Sequence, residues 1–568
     1  MPPVIRRRVA SVGANLPATL HPVLRRVYAQ RGLTREAELS LDLKQLLPPQ
    51  GLLGIDRACD ELQQAVTSGG KIVVVGDYDA DGATGAALAV AVLRTFGAGA
   101  PDYLVPSRFH QGYGLSPALA EAAHAMGAQW LLTVDNGIAS VAGVARAKEL
   151  GLRVVITDHH LAGPQLPAAD AMVNPNQPGC GFPSKHLAGV GVMFYLLSAL
   201  RGRLREAGWF RARSDFPEPR LADFLDLVAV GTVADVVRLD YNNRILVAQG
   251  LARIRARRMR PGILALLQVA GRDAATVSST DLGFTVGPRL NAAGRLEDMR
   301  LGIECLLCES EQGALAMAQR LDQLNRERRD IEAQMRDEAM AMVDKLEADA
   351  VGLALFDPGW HEGVVGLVAS RVKDRLHRPT FAFARAKEAG MLKGSGRSIA
   401  GLHIRDALAL VDARHPGMIA RFGGHAMAAG LTLPEACFAQ FSRAFEDVCR
   451  EALDEAALER VLESDGALEN GELSLETARA LESAGPWGQG FPEPLFDGAF
   501  EVRESRVVGE RHARYRLRAG GRTIDAIHFN AAEHLAPPGP VELAYRLGVN
   551  RYQGLETPEL RVELLKAV

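Results

Sequence analysis

Three carboxylates stand within five positions in Asp77-Tyr-Asp79-Ala-Asp81-Gly82, directly after the apolar run Ile72-Val-Val-Val75. Like charges so close cannot all stay ionised cheaply without a counter-charge, and a bound cation is the usual one. Asp77, Asp79, Asp81 and Gly82 fill the first, third, fifth and sixth places of an EF-hand calcium loop. The twelfth place, which needs a bidentate Glu, is Leu88, and the β-branched run before the loop reads as a strand rather than a helix. Calcium of that kind is excluded. The acids instead sit at the carboxyl end of a strand, where open α/β sheets place their sites.

Further donors follow other apolar runs. Trp130–Val134 leads to Asp135-Asn-Gly137, Arg153–Ile156 leads to Asp158-His159-His160, and Phe224–Val230 leads to Gly231-Thr-Val-Ala-Asp235. Asp79, Asp81, Asp135, His159 and Asp235 form a set of hard oxygen donors with one imidazole, which suits Mn²⁺ or Mg²⁺ better than zinc. Two such ions about 3.5–4 Å apart would clamp the attacking and leaving oxygens of a phosphoryl group and supply hydroxide near neutral pH. The implied reaction is metal-assisted phosphoester or phosphoanhydride hydrolysis. The competing reading makes each acid a helix N-cap, since Asp is favoured there. It serves for Asp135 or Asp235 alone, but it accounts poorly for a triple acid plus paired histidines plus two more run-end acids.

These residues need elements to hold them. Between the first three runs lie Ala- and Leu-rich stretches of helical period, at 83–93, 117–126 and 139–150. Strand and helix in alternation predict an α/β fold with a doubly wound parallel sheet, all carboxyl ends on one edge. The fourth run, 224–230, reads as a strand, with a helix as the alternative. Residues 309–346 carry apolar positions at helical spacing and predict one long helix bridging two domains. A second, smaller α/β unit follows, and after an acidic stretch come short strands of a small β-barrel, at 495–500, 515–518, 523–529 and 541–545. The division expected is 1–305 for the first domain with an N-terminal extension, 306–350 for the connecting helix, 351–455 for the second unit and 462–568 for the barrel.

The chain has 568 residues and a net charge of −3, with arginines crowded at 244–260 and 503–522, so local clusters permit a polyanionic partner. Six scattered cysteines form no disulfide scaffold. Cys305-Leu-Leu-Cys308 lacks a second pair and reads as buried helix cysteines rather than a zinc site. The N-terminus has no signal-peptide apolar core, and the longest apolar run, 187–200, is short for a membrane span of roughly 20 residues. The expectation is a cytoplasmic protein with no membrane contact.

Asp158-His159-His160, preceded by the Asp-x-Asp-x-Asp-Gly segment and Asp135-x-Gly137, resembles the DHH phosphoesterase superfamily. Gly423-Gly-His-Ala-Met-Ala-Ala-Gly430 resembles the glycine-rich motif of the DHH-associated domain. Gly287-Pro-Arg-Leu-Asn-Ala-Ala-Gly-Arg-Leu296, Gly396-Arg397-Ser398 and the terminal barrel, an OB-like nucleic-acid-binding fold, resemble the superfamily's single-strand-specific 5′→3′ DNA exonucleases. The likeness runs from about residue 50 to 565. It implies an exodeoxyribonuclease of two-metal type, releasing 5′-mononucleotides in DNA recombination and repair. A helicase and a single-strand-binding protein would be its partners, and the chain would be a monomer. It makes Asp79, Asp81, Asp135, His159 and Asp235 the metal ligands, and Asp77 and Asp158 close ligands or orienting groups. By the same resemblance His160 would contact the scissile phosphate. The superfamily's pyrophosphatases carry a His where this chain has Val75, which favours the nuclease branch and implies that one of the two ions binds weakly or arrives with substrate.

For holding DNA, Arg108, Arg289 and Arg295 (the latter two in a glycine-punctuated loop), Arg371 and Arg397 are candidate phosphate partners, with Asn291 in the same motif as Arg289. Gly424 and His425 offer a backbone cradle, although Gly423–Gly430 reads equally as close helix–strand packing. Tyr113, Phe109 and Trp360 are candidate stacking platforms, as is Tyr515 on the arginine-rich barrel face.

Overall fold

The computed structural model describes residues 3–106, 114–213, 216–345, 349–469 and 471–568. It divides into two compact units, one of residues 8–325 with 465–568, the other of residues 1–7 with 326–464.

The first unit is built on a five-stranded, wholly parallel sheet. Its spatial order is Asp102–Leu104, Ile72–Val75, Trp130–Val134, Arg153–Thr157, Ala171–Val173. Ile72 and Val74 pack with one set of helices and Val73 and Val75 with another, so both faces are covered and the strands are apolar throughout. After Ile72–Val75 the chain moves outward to Asp102–Leu104, then crosses back to Trp130–Val134 on the other side. The crevice between those two strand ends is the switch point at which doubly wound sheets place ligands. Asp77 and Asp135 follow these two strands. The short strands Asp102–Leu104 and Ala171–Val173 carry no pattern that predicts them from sequence.

The fourth apolar run is not a strand. Leu225–Ala234 is an α-helix whose residues Leu225–Thr232 are all buried. A helix apolar on every side has no amphipathic period, and a short run of that kind looks the same as a buried strand. The chain's last part forms a closed barrel in the order Phe496–Val508, His512–Ala519, Arg522–His528, Leu555–Ala567, Gly539–Tyr552. Leu555–Ala567, missed in the sequence, closes it, parallel to Arg522–His528 and antiparallel to Gly539–Tyr552. Along His512–Ala519, Ala513, Tyr515 and Leu517 are buried while the arginines between them point outward. Tyr515 therefore fills the barrel core and is not on the arginine face. Arg514 and Arg516 pair there with Asp525 and Glu504.

The second unit holds a mixed sheet, in the order Arg421–Gly424, Ala428–Pro434, Met391–Arg397, Thr380–Arg385, Leu353–Phe356, with only the last pair parallel. The strand Val4–Arg7 pairs in parallel with Val461–Ser464. The long helix runs Glu311–Val343. No helix among the described residues is long and apolar enough to cross a membrane.

Candidate metal centre

Asp79 caps the helix Ala80–Thr95, its Oδ1 accepting from Asp81 N and Gly82 N, both at 3.0 Å. So the capping reading holds for this acid, but the same carboxylate also lies among metal-type donors, grouped with Asp77 and Asp135. The turn closes only because residue 82 is glycine: a Cβ there would lie 2.4–2.6 Å from the backbone of Asp77. Asn291 Oδ1 accepts from Ala80 N at 2.7 Å and braces the turn from outside. Asn291 thus supports the acids rather than facing solvent for DNA.

Asp81 is fully buried at the N-terminus of the helix Gly189–Glu206. Gly189 N donates to its Oδ2 at 2.6 Å and Val190 N to its Oδ1 at 2.9 Å. These donors favour the carboxylate. Burial and the Asp235 charge oppose them and push Asp81 up to about 7. Asp135, in the left-handed region at φ 62°, turns its carboxyl back toward the same point. Burial, then the charges of Asp81 and Asp79, raise its pKa well above the carboxylate range. Gly189 must be glycine too, since its Cβ would stand 2.5 Å from Asp135 Cβ. Gly189→Ala is expected to cost about 1–3 kcal/mol of stability, the usual range for an overpacked site, and to weaken divalent-ion binding. Denaturant unfolding and calorimetric Mn²⁺ titration measure the two.

Asp235 enters from another direction. It is the C-cap of the helix Leu225–Ala234, not a strand end. A carboxylate there faces the negative end of the helix dipole, which is unfavourable without a cation. Its Oδ2 is buried with no hydrogen-bond partner, 3.5 Å from His159 Nε2. That nitrogen is also 3.0 Å from Asp135 Oδ1 and 3.9 Å from Asp81 Oδ2. Burial, then the neighbouring His160 charge, lower the His159 pKa and keep it neutral, the form that ligates metal. Burial, then the Asp79 charge, push Asp235 up to about 7. Three carboxylates aimed at one neutral imidazole nitrogen, one with an orphaned oxygen, fit a hard divalent ion.

Asp158 does different work. Its Oδ1 accepts from His159 N at 2.7 Å, His160 N at 3.1 Å and His160 Nδ1 at 2.7 Å, and its Oδ2 accepts from Ile138 N at 2.9 Å. Burial alone would raise its pKa, but the His160 bond and charge lower it. Burial would in turn lower His160, yet the Asp158 bond raises it to about 9, so His160 is a cation at neutral pH. Two residues with no sequence signal hold this loop from behind. Asn174 Nδ2 donates to His160 O at 2.9 Å and Asn176 Nδ2 to His159 O at 2.5 Å.

The candidate DNA contacts are less uniform. Arg108 and Tyr113, with Phe109, lie outside the described residues. Arg289 and Arg295 stand on a helix, Gly287–Leu296, not in a loop, because Pro288 suits a first helical turn. Arg289 is held by Asp322 at 2.8 Å. In the second unit Arg371 pairs with Glu332 at 2.7 Å, and Arg397 donates to Gly396 O at 2.8 Å. Gly424 and His425 lie at the turn of a β-hairpin, Arg421–Gly424 with Ala428–Pro434, not in helix–strand packing. Gly424 takes φ 143°, and a Cβ would meet Ala428 O at 2.5 Å. Trp360 is buried, donating to Glu338 at 2.8 Å, and offers no stacking face.

Three family models match the chain: the DHH family N-terminal domain over residues 71–232, the DHHA1 domain over 348–451 and the RecJ OB domain over 464–564. The single-stranded-DNA-specific exonuclease RecJ of Dickeya dadantii is 54% identical over 568 residues, covering 98% of each chain. The crystal structure of RecJ in complex with Mn²⁺ from Thermus thermophilus matches all of this chain and 80% of its own, at 31% identity and a TM-score of 0.82. The Mg²⁺ complex from the same organism matches at 30% identity and a TM-score of 0.76, over 100% of this chain and 79% of its own. With full-length identity at this level and all three domain models in order, the chain belongs to the RecJ family of DHH-domain exonucleases.

Proposed function

We propose that the chain is a metal-dependent, single-stranded-DNA-specific exonuclease that digests 5′→3′ and releases 5′-mononucleotides. Asp79, Asp81, Asp135, His159 and Asp235 hold Mn²⁺ or Mg²⁺, and Asp77 lies alongside. The observation that carries this reading is the convergence of Asp81, Asp135 and Asp235 on His159 Nε2. Bound there, a divalent ion polarises the phosphate and lowers the pKa of its water. His160, kept cationic by Asp158, places charge and an N–H donor against the scissile phosphate and stabilises its developing negative charge. Asn174, Asn176 and Asn291 keep the donor loops in place. Arg289 and Arg295 of the first unit are proposed to contact the strand's phosphates, and Arg397, Gly424 and His425 are, by themselves, the proposed phosphate-binding residues of the second unit. The reading extends to recombination and repair in the cytoplasm, as a monomer working with a helicase and a single-strand-binding protein.

Digestion of 5′- and 3′-labelled strands tests it. A single strand shortened from the 5′ end only with Mn²⁺ or Mg²⁺, beside intact duplex, is the expected result. Chelator-resistant cleavage, or duplex cut as fast as single strand, overturns it. A dinucleotide hydrolysed faster than a long strand would make the chain a small-substrate phosphodiesterase instead.

A further inference from the structure

The helix Ala80–Thr95 begins, like any helix, with amides that no carbonyl inside it can serve. Asp79 Oδ1 accepts from the amides of Asp81 and Gly82, and Asp79 O accepts from that of Ala83 at 2.9 Å. The amide of Ala80, the first in the helix, is left over. Asn291 Oδ1 accepts from it at 2.7 Å, from a residue 211 positions further along the chain. Asp79 Oδ2 is then left with no hydrogen bond among the described residues.

The asparagine is held to this task. Its helix, Gly287–Leu296, lies directly on the acid turn: a Cβ on Gly294 would meet Tyr78 O at 2.0 Å. On the same helix Arg289 donates to Asp322 from Nε at 2.9 Å, and to Thr285 O from Nη1 at 2.7 Å. The helix is thus pinned on both sides of Asn291, by the turn itself and by a half-buried ion pair.

We infer that Asn291 is a positioning residue for one ion of the pair: by taking the Ala80 amide it leaves Asp79 Oδ2 to the ion held by Asp77, Asp79 and Asp135. The inference rests on the metal-dependent exonuclease reading above, with two ions of unequal affinity. Asp79 belongs to one donor group, with Asp77 and Asp135, while Asp81, His159 and Asp235 form another. Asp81 is oriented by Gly189 N and Val190 N, on a different helix, so the second group needs nothing from Asn291. That group also offers a neutral imidazole and the orphaned Asp235 Oδ2, whereas Asp79 has spent one oxygen on capping. The ion beside Asp79 is therefore the weaker one. Without Asn291 the Ala80 amide has two outcomes. Unpaired, it presents the partial positive charge of a helix N-terminus to a cation. Turned toward Asp79, it competes for the oxygen that the ion needs.

The experiment titrates the metal-free full chain with Mn²⁺ by calorimetry, for wild type, Asn291→Ala, Asn291→Ser and Asn291→Asp. Wild type is expected to show a tighter and a weaker site. Asn291→Ala weakens the weaker site about tenfold, the loss of one hydrogen bond, and leaves the tighter site unchanged. Serine is too short to reach the amide and behaves as alanine, so it serves where the alanine variant does not fold. Aspartate keeps an acceptor oxygen in place and restores the weaker site, or tightens it further through its charge. A residue that only supported the fold would weaken both sites together and would gain nothing from aspartate. Equal losses at both sites, no loss at the weaker site, no rescue by aspartate, or a wild type with a single kind of site each overturn the inference. Failure of the exonuclease reading shows separately, as wild type that digests no single strand with any divalent ion while its two Mn²⁺ sites still respond to Asn291 as described.

Discussion

Asp135→Asn is expected to lower strand hydrolysis by at least about a thousandfold, since metal polarisation supplies several kcal/mol and about 1.4 kcal/mol is a tenfold change. Asp135 belongs to two of the donor groups, with His159 and His160 and with Asp77 and Asp79, so its loss damages both. The amide keeps the shape, so the left-handed turn at φ 62° should survive, Asn being at home there. A second outcome distinguishes lost ligation from lost folding. Without divalent ions the variant should melt higher than wild type, because one of several mutually repelling buried carboxylates is gone. Adding Mn²⁺ should then raise its melting temperature less than it raises that of wild type, as binding stabilises in proportion to affinity. Retained hydrolysis, or an equal Mn²⁺ shift in both proteins, would falsify the placement of Asp135 at the ion.

The second large effect is on stability against pH. In the metal-free protein Asp81 and Asp235 are pushed up to about 7, and Asp135 is raised as well. A carboxyl raised in the folded state binds its proton more tightly there than in the unfolded chain. Its penalty begins near the unfolded value of about 3.9 and is complete above the folded one. His160, raised to about 9, stabilises fully below its unfolded value of about 6.5 and loses that contribution as pH rises through about 9. Asp158, lowered, contributes above the unfolded carboxylate value and loses its contribution only as pH falls below it. His159, lowered, acts the other way below about 6.5, but the three raised carboxyls and His160 outweigh it, so between about pH 5 and about pH 9 the net direction is downward. Thermal melts in chelator should show the fall, and saturating Mn²⁺ should remove most of it by neutralising the carboxylates. A chelated protein whose melting temperature is flat or rising across that window would contradict the charge assignment.

The chemistry was legible because its donors are local. Asp77 to Asp81 and Asp158 to His160 declare themselves within a few residues, and the alternation of runs places them on one sheet edge. What the sequence hid were contacts with no spacing rule. Asp235 reads as a ligand but as one at a strand end, because a helix buried on every face carries no period. Asn174 and Asn176 reach the histidines from beyond the next strand through backbone carbonyls, which no side-chain motif marks. Arg289 and Arg295 read as loop residues because glycines surround them, although Gly287-Pro288 begins a helix. Aromatics mislead in both directions. Trp360 and Tyr515 sit in cores. Phe284, on the π-helical turn Leu282–Val286, is 82% exposed although an aromatic reads as core from sequence.

The parallel pairing of Val4–Arg7 with Val461–Ser464 also sets a schedule for the ribosome. Val4–Arg7 must wait for partners made about 450 residues later, roughly twenty seconds to a minute and a half at ordinary elongation rates. During that interval this strand lacks its ladder partner, whereas all five strands of the sheet of Ile72–Val75 have been made once residue 173 is added. A bulky fusion at the amino end would therefore be felt late in synthesis, when this strand docks, rather than early.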